Sequence, residues 1–474
     1  MLCREAIRGS PMLRSAPHGS KPFALMPTAI HFEQPRTDAP GSTPSGFLRP
    51  TPKAAVYGFT FINSLSAGLV TSGIFVLTAE GFGFSALQNF LLGMVLGVMY
   101  ILGALGAQRL TRFLRRVIPG LNSRTILVAI MVALGLLTAI PAVFCGLGRP
   151  DPALGGEWSV WVMIALYSPI TGILWPMVES FLSGGRRGKE LRATIGLWNV
   201  IWSAALVIGA WSISRFVSSA PGAALVGLGL LQIASIAILC WFPSEPGANL
   251  HEEHAPTPPI YADLLTTFRV FLPTSYVVSS ALGPILPLAC GAIGVPAEWQ
   301  MVVSSAWLLP RCLGFLTLER WHGWHGRWSA PIVGGALFAG GFALAIFAWS
   351  IAKNDPTQGL DWRALQFFLL GLALFGLGMS VIYAGAIYYA MEVGAAEVEA
   401  GGMHEALIGV GYTGGPLLGV LAIGFQSQGL IGPNSVSTFI LSGVLVVLVV
   451  ASAIVIKRVR DGHRKHRDAT GHAA

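Results

Sequence analysis

The chain contains twelve apolar stretches, each long enough to cross a bilayer as a helix. A helical span needs roughly 20 mainly apolar residues. We predict spans 1 to 12 at residues 56–79, 86–108, 124–146, 158–182, 192–214, 222–242, 267–292, 298–318, 329–351, 363–390, 402–425 and 434–457. These stretches lack the alternation of apolar and polar residues that membrane barrel strands require. The pattern therefore predicts an all-α polytopic membrane protein.

The composition excludes a water-soluble chain of this size. Charged residues make up 11% of the sequence and hydrophobic residues 53%, whereas soluble chains usually carry about 25% charged residues. The five cysteines show no paired spacing, and no G-x-x-x-x-G-K-[S/T] sequence occurs. We therefore expect no metal site, no cofactor and no direct use of a nucleotide.

Basic residues concentrate on one side of the predicted spans. They occur in the loops after spans 2 and 4 and in the C-terminal tail, which an even number of spans places on the same side: Arg109, Arg112, Arg115, Arg116, Arg124, Arg186, Arg187, Lys189, Arg192, Lys457, Arg458, Arg460, Arg464, Lys465 and Arg467. The positive-inside rule then predicts that both termini are cytoplasmic, in the cell (inner) membrane. The net charge of +8 is explained by lipid headgroups without a nucleic acid partner.

The spans fall into two blocks of nearly equal length. We predict a disordered cytoplasmic N-terminal extension at residues 1–53, a six-helix half at 54–242, a cytoplasmic linker rich in proline and acidic residues at 243–266, a second six-helix half at 267–457, and a basic cytoplasmic tail at 458–474. Two halves with six spans each suggest an internal duplication, which is common among secondary transporters.

A short motif, G-x-L-x-x-[Q/E]-R, ends both span 2 and span 8. The first copy runs from Gly103 to Arg109 and the second from Gly314 to Arg320, at equivalent places in the two blocks. Over about residues 54–460 the chain resembles the major facilitator superfamily, whose signature after spans 2 and 8 reads G-x-x-x-D-R-x-G-R-[K/R]. The acidic position departs from that signature, because it is a glutamine in the first copy and Glu319 in the second, each one residue later than the family spacing.

This resemblance implies twelve transmembrane helices in two pseudo-symmetric halves. It also implies a secondary active transporter, expected to be monomeric, that moves a small organic solute by alternating access, with a coupling proton or cation as a further expectation. Two alternatives remain open at this stage. One is a membrane-embedded enzyme, such as a lipid-modifying transferase, and the other is a transporter-like sensor.

Several residues are predicted to control opening of the cytoplasmic side. Symmetric placement near the ends of spans 4 and 10 suggests that Glu179 pairs with Arg109 or Arg192 and that Glu392 pairs with Arg320. Span 11 resembles the G-x-x-x-G-P-x-x-G string of antiporters in the family, and its Pro416 serves either helix packing or a gating bend.

Polar and aromatic residues at middle depth are candidates for a solute cavity. In the resembled family such a cavity is lined by spans 1, 2, 4, 5, 7, 8, 10 and 11, which here carry Asn63, Ser64, Trp175, Asn199, Trp202, Tyr276, Ser279, Arg311, Tyr383 and Tyr412. Arg311 either reaches the headgroups, pairs with Glu319, or holds an anionic substrate. His404 and Glu405 are either a solvated histidine beside a helix-terminal acid or a proton-coupling pair.

Overall fold

The chain folds into a bundle of membrane-length helices in a computed structural model. The structure describes residues 50–148, 156–186, 188–213, 216, 219–247, 258–283, 285–352, 359–393, 398–432 and 435–471. Within these residues ten helices are long and apolar enough to cross a membrane, and the number rises to 12 if two bent helix pairs each count as one span. The described chain is therefore all-α with up to twelve spans, and it is an integral membrane protein.

Ten spans are built around one main helix each. Their bounds are Ala86–Val117 (span 2), Ser123–Cys145 (span 3), Trp158–Ser183 (span 4), Gly188–Ile213 (span 5), Pro221–Ser235 followed by a 3₁₀ turn at Ile236–Trp241 (span 6), Ala297–Ser304 and Leu308–Arg320 (span 8), Ser329–Ile351 (span 9), Trp362–Val393 (span 10), Val398–Ser427 (span 11) and Val436–Gly471 (span 12). A short 3₁₀ turn, His322–Trp324, lies between spans 8 and 9.

Spans 1 and 7 are the bent helix pairs, and each is the first span of its half. Span 1 consists of Lys53–Ser72, Ile74–Val76 and a π-helical turn at Leu77–Gly81, with a bend of 42°. Span 7 consists of Pro259–Leu282 and Leu286–Ile293, with a bend of 50°. Interrupted helices at corresponding places in two repeats often flank a transporter's binding site.

Two faces of the bundle follow from this connectivity. We call the side on which span 1 begins, at Lys53, the terminal face, and the side on which it ends, at Gly81, the distal face. Side-chain caps define some helix ends. Ser85 forms a capping box with Gln88 at the distal start of span 2, and Asn122 accepts a hydrogen bond from the backbone of Thr125 at the terminal start of span 3.

The two motif glycines occupy equivalent packing positions in the two halves. A Cβ at Gly103 of span 2 would overlap the backbone of Pro169 in span 4, and a Cβ at Gly314 of span 8 would overlap the side chain of Ser380 in span 10. Both glycines therefore allow close approach of two helices within one half, which agrees with a duplicated six-helix plan.

Spans 2 and 11 pack closely across the two halves. Gly93 lies against the ring of Pro416, and Gly419 lies against the ring of Phe90. Gly415 in span 11 also lies against the backbone of span 7. The glycines beside Pro416 thus serve helix packing, which was one of the two interpretations of this motif.

Three predicted boundaries differ from the structure. Of the predicted extension, residues 1–49 lie outside the described residues, but Thr51 is buried and its carbonyl accepts a hydrogen bond from Arg186. The first helix of span 7 begins inside the predicted linker, because Pro259 occupies the first helical turn, where no backbone donor is needed. Span 12 continues through the predicted basic tail to Gly471, since that segment contains no proline to stop the helix.

Candidate functional site

A cavity of about 230 Å³ lies between the two halves. Spans 1, 2, 4 and 5 of the first half and spans 7, 8, 10 and 11 of the second half all contribute to its wall. Aromatic rings dominate its middle depth, with Trp175, Trp198, Trp202, Trp307, Tyr100, Tyr276, Tyr383 and Tyr412. Because the cavity is smaller than the range of about 300–1,000 Å³ typical of ligand pockets, it suits a small solute.

The cavity reaches far toward the distal face but not toward the terminal face. On the distal side its wall includes Val76 and Pro287, which follow the bends of spans 1 and 7, and Met301 near the start of span 8. On the terminal side the wall ends at residues such as Trp198 and Glu405, about two to three helical turns inside their helices. The structure thus has a deep cavity with a thick floor on the terminal side.

Eight of the ten predicted cavity residues line this cavity, namely Ser64, Trp175, Trp202, Tyr276, Ser279, Arg311, Tyr383 and Tyr412. Asn63 does not, because its Nδ2 donates to the carbonyl of Phe59 at 2.9 Å and to Oγ of Ser235 at 3.1 Å, joining spans 1 and 6. Asn199 is buried behind Trp202, whose Nε1 donates to it at 3.0 Å. Asn63 therefore stabilises a contact between two spans, whereas Asn199 fixes the indole of Trp202 within span 5.

Four aromatic residues of the cavity were absent from the sequence prediction. They are Phe75 of span 1, Tyr100 of span 2, Trp198 of span 5 and Trp307 of span 8. Trp198 follows the helical spacing of the predicted Trp202 and could have been found by it, since residues four apart share a helix face. Trp307 carries the same signal, because it lies four residues before the predicted Arg311, whereas Phe75 and Tyr100 carry no comparable signal.

Arg311 is a buried cation in the wall of the cavity. Its side chain is 2% exposed, and its guanidinium carbon lies 4.6 Å from the ring centroid of Trp202 and 4.8 Å from that of Trp307. Its Nη1 contacts the sulfur of Met379 at 3.9 Å, while Nε and Nη2 have no hydrogen-bond partner among the described residues. Two of the three interpretations of Arg311 are therefore wrong, since it neither reaches the headgroups nor pairs with Glu319.

A second charged cluster forms the floor of the cavity. It consists of Glu179 of span 4 and of His404 and Glu405 of span 11. One ligand atom from each of these side chains lies within 4.8 Å of the other two, and all three residues are buried. The hydroxyl of Tyr100 donates to Glu405. Glu179 lacks a donor for either oxygen among the described residues, and Nε2 of His404 is also unpaired. Such a donor set can hold a proton or a metal ion.

This cluster corrects two sequence predictions. Glu179 forms no ion pair with Arg109, which is exposed, because it points across the interface between halves toward span 11. His404 is not solvated, since it is 3% exposed and its ring packs edge-on against Tyr383, with 5.2 Å between ring centroids. Of the three residues, only Glu405 lines the cavity.

Other residues of the predicted cytoplasmic gate meet different partners. Glu392 lies in electrostatic range of Arg192, which comes from the other half, and Arg320 is exposed. Glu319 packs against Gly196, where an added Cβ would lie 3.0 Å from its Cβ. Spans 5 and 8 therefore close the terminal face through contacts that the motif alone did not predict.

Comparison with solved structures identifies the fold. A crystal structure of the nucleoside transporter NupG matches with a TM-score of 0.55 at 15% identity, over 86% of this chain and 98% of that chain. An auto-inhibited POT family peptide transporter matches with a TM-score of 0.59 at 13% identity, over 86% and 96%. The chain has the major facilitator fold. No family model and no curated protein matches the sequence.

The major facilitator fold accounts for the place of the cavity. Its two six-span halves meet along the spans that carry the lining residues, so any molecule bound at this depth would touch both halves. The bends of spans 1 and 7 are found on the distal side of the cavity, at equivalent places in the two halves.

Proposed function

We propose that this protein is a secondary active transporter of a small organic solute, working by alternating access. The observation that carries this proposal is the cavity between the two halves, because a polar and aromatic pocket at that place can be exposed to either face when the halves rock. The fold shared with transporters of nucleosides and of peptides supports it.

The proposed location is the cell (inner) membrane, with the terminal face on the cytoplasmic side. The basic residues near the terminal face support this orientation through the positive-inside rule. The moving bodies would be residues 54–242 and 267–457, in a monomer. In this arrangement the described conformation faces outward, since the cavity wall extends toward the distal face.

We further propose that the buried carboxylates of Glu179 and Glu405 bind the coupling proton. Two carboxylates this close together cannot both stay charged in a buried site without a cation between them. They come from spans 4 and 11, in different halves, so one resident proton shared between them holds the floor closed, and the coupling proton is a second proton that the same pair takes up and releases. Proton occupancy would then control opening toward the terminal face.

The two alternative functions gain less support. An enzyme would need an acid and a base that reach a bound substrate, and only Glu405 of the cluster lines the cavity. A sensor would be expected to have its cavity filled by bulky side chains, which does not fit a volume of about 230 Å³.

A disulfide lock tests alternating access without knowledge of the solute. In a protein whose native cysteines have been replaced, Gly196→Cys and Glu319→Cys should form a disulfide after small shifts, because an added Cβ at 196 lies 3.0 Å from Cβ of Glu319. Ser279→Cys in the cavity wall reports access, through labelling by an impermeant maleimide in right-side-out and inside-out vesicles.

A transporter should be labelled at position 279 from both faces when the lock is reduced and from the distal face only when it is oxidised. The single variants Gly196→Cys and Glu319→Cys are the controls, and oxidation should not change their labelling. Labelling from one face only, with the lock open and reduced, would contradict alternating access and favour a sensor.

A further inference from the structure

The charge of the cavity gives the class of solute. Arg311 is the cation in the cavity wall, and no carboxylate among the described residues forms an ion pair with it. Burying a charge without a counter-ion is expensive, and each unpaired donor adds to the cost. Nε and Nη2 of Arg311 are such donors in a side chain that is 2% exposed.

A tryptophan from each half of the protein lies beside the guanidinium of Arg311. Trp202 belongs to the first half and Trp307 to the second, and both rings lie within cation–π distance of the guanidinium. The guanidinium is planar, so its unpaired Nε and Nη2 donors lie in one plane, which matches the two oxygens of a carboxylate. Flat rings from Trp202 and Tyr383, 5.0 Å apart between centroids, offer an apolar surface to the rest of the solute.

The second charged group of the same cavity is the carboxylate pair in its floor. Tyr276 and Tyr383 lie in electrostatic range of both Arg311 and Glu405, so the two sites share one low-dielectric region. Tyr100 of span 2 and Tyr383 of span 10 face Glu405, while His404 belongs to span 11 and has Arg269 of span 7 in electrostatic range.

Counting charges then couples the solute to a proton. One shared proton leaves the carboxylate pair with a charge of about −1, which balances Arg311. A bound monoanion would add a negative charge to a buried region, and one further proton on the pair would restore neutrality. Proton and anion therefore stabilise each other's binding, which is reciprocal by linkage.

We infer that the cavity binds a small monocarboxylate through Arg311, together with one proton taken up by Glu179 and Glu405. This inference rests on the proposed transport function only for its physiological meaning, because binding can be measured without transport. If the protein transports the monocarboxylate and the proton together, no net charge crosses the membrane.

The test uses benzoate as the probe and benzamide as a neutral molecule of the same shape. Binding to the purified full chain in detergent is measured by calorimetry in buffers of different ionisation enthalpy, which gives the number of protons taken up per bound anion. We expect benzoate to bind with uptake of one proton and benzamide not to bind. Benzenesulfonate and phenylphosphonate test whether the site prefers another oxyanion.

Variants separate the two parts of the inference. Arg311→Gln should weaken benzoate binding by about a hundredfold or more, and Arg311→Lys should retain part of it because the charge remains without the planar pair of donors. Arg363→Gln, at an exposed arginine at the start of span 10, is the control and should bind as the wild type. In a Glu179→Gln, Glu405→Gln double variant benzoate should still bind, but without proton uptake.

Equal binding of benzoate and benzamide, or stronger binding of the other two oxyanions, would overturn the assignment of a carboxylate to Arg311. Benzoate binding without proton uptake in the wild type, or a requirement for Na⁺ in its place, would overturn the role of the carboxylate pair. Benzoate binding with intact proton uptake in a protein that fails the cysteine labelling test would instead refute the transport function alone.

Discussion

The carboxylate pair in the cavity floor makes a quantitative prediction about stability. At 4.8 Å, the upper limit of the separation between Glu179 and Glu405 oxygens, two full charges repel by about 3.5 kcal/mol in an effective dielectric of about 20. A shared proton removes this repulsion. In the proposed site the folded protein holds a proton that the unfolded chain releases, so stability should fall as pH rises.

Glu179→Gln removes one of the two charges and leaves an amide that can donate to Glu405. We expect the melting temperature of the wild type to fall between pH 5.5 and pH 9, by an amount that corresponds to about 3.5 kcal/mol. The melting temperature of Glu179→Gln should change much less over the same range. Differential scanning fluorimetry on detergent-solubilised protein is a suitable measurement.

Glu399→Gln supplies the matched control, because Glu399 is an exposed acid on the same helix as Glu405. It should follow the wild type at every pH. Parallel melting curves of wild type and Glu179→Gln from pH 5.5 to pH 9 would refute the shared proton, and with it the proposed coupling site.

Three further changes have expected outcomes in thermal unfolding. Gly103→Ala should destabilise the protein by about 2 kcal/mol, because the added Cβ meets the backbone of span 4. Gly106→Ala is the control and should stabilise the protein by about 0.5–1 kcal/mol, since there is open space around Gly106. A stability change of the same sign in both variants would contradict this packing. Asn63→Ala should lower stability by about 1–2 kcal/mol through loss of the buried bond to Ser235, and no loss would show that this bond is dispensable. Burial, with smaller effects of nearby charges, lowers the pKa of His325 to about 4. The unfolded chain therefore binds this proton more readily, and the free energy of unfolding should fall by roughly 1 kcal/mol on acidification from pH 6.5 to 4. His325→Asn should remove this pH dependence.

The sequence was sufficient to predict the fold because hydropathy is a local property. Each predicted span overlaps a helix of the structure, including the bent spans 1 and 7. The boundaries failed where polar residues continue a helix beyond the apolar run, as at Pro259 and Gly471. Hydropathy cannot detect those ends, since it marks the apolar part of a helix and not the helix itself.

The sequence predicted which residues contribute to the candidate site from their type and their depth in the spans, but it did not predict which residues they contact. Arg311 and Glu405 stood out because an ionisable group in an apolar span needs a reason to be there. Their environments depend on which face of each helix points inward and on which helix lies opposite. Trp202, for example, meets Arg311 only because spans 5 and 8 pack against each other.

The sequence by itself determined the number of spans, the side that carries the basic residues and the kinds of side chain available at middle depth. The tertiary structure alone decided that Glu179 faces Glu405 across the interface between halves and that Arg311 lies beside a tryptophan of each half. The physical reason is that span formation depends on the transfer of consecutive residues into lipid. Contacts between spans depend on side chains that are far apart in the chain and close together only after the helices pack.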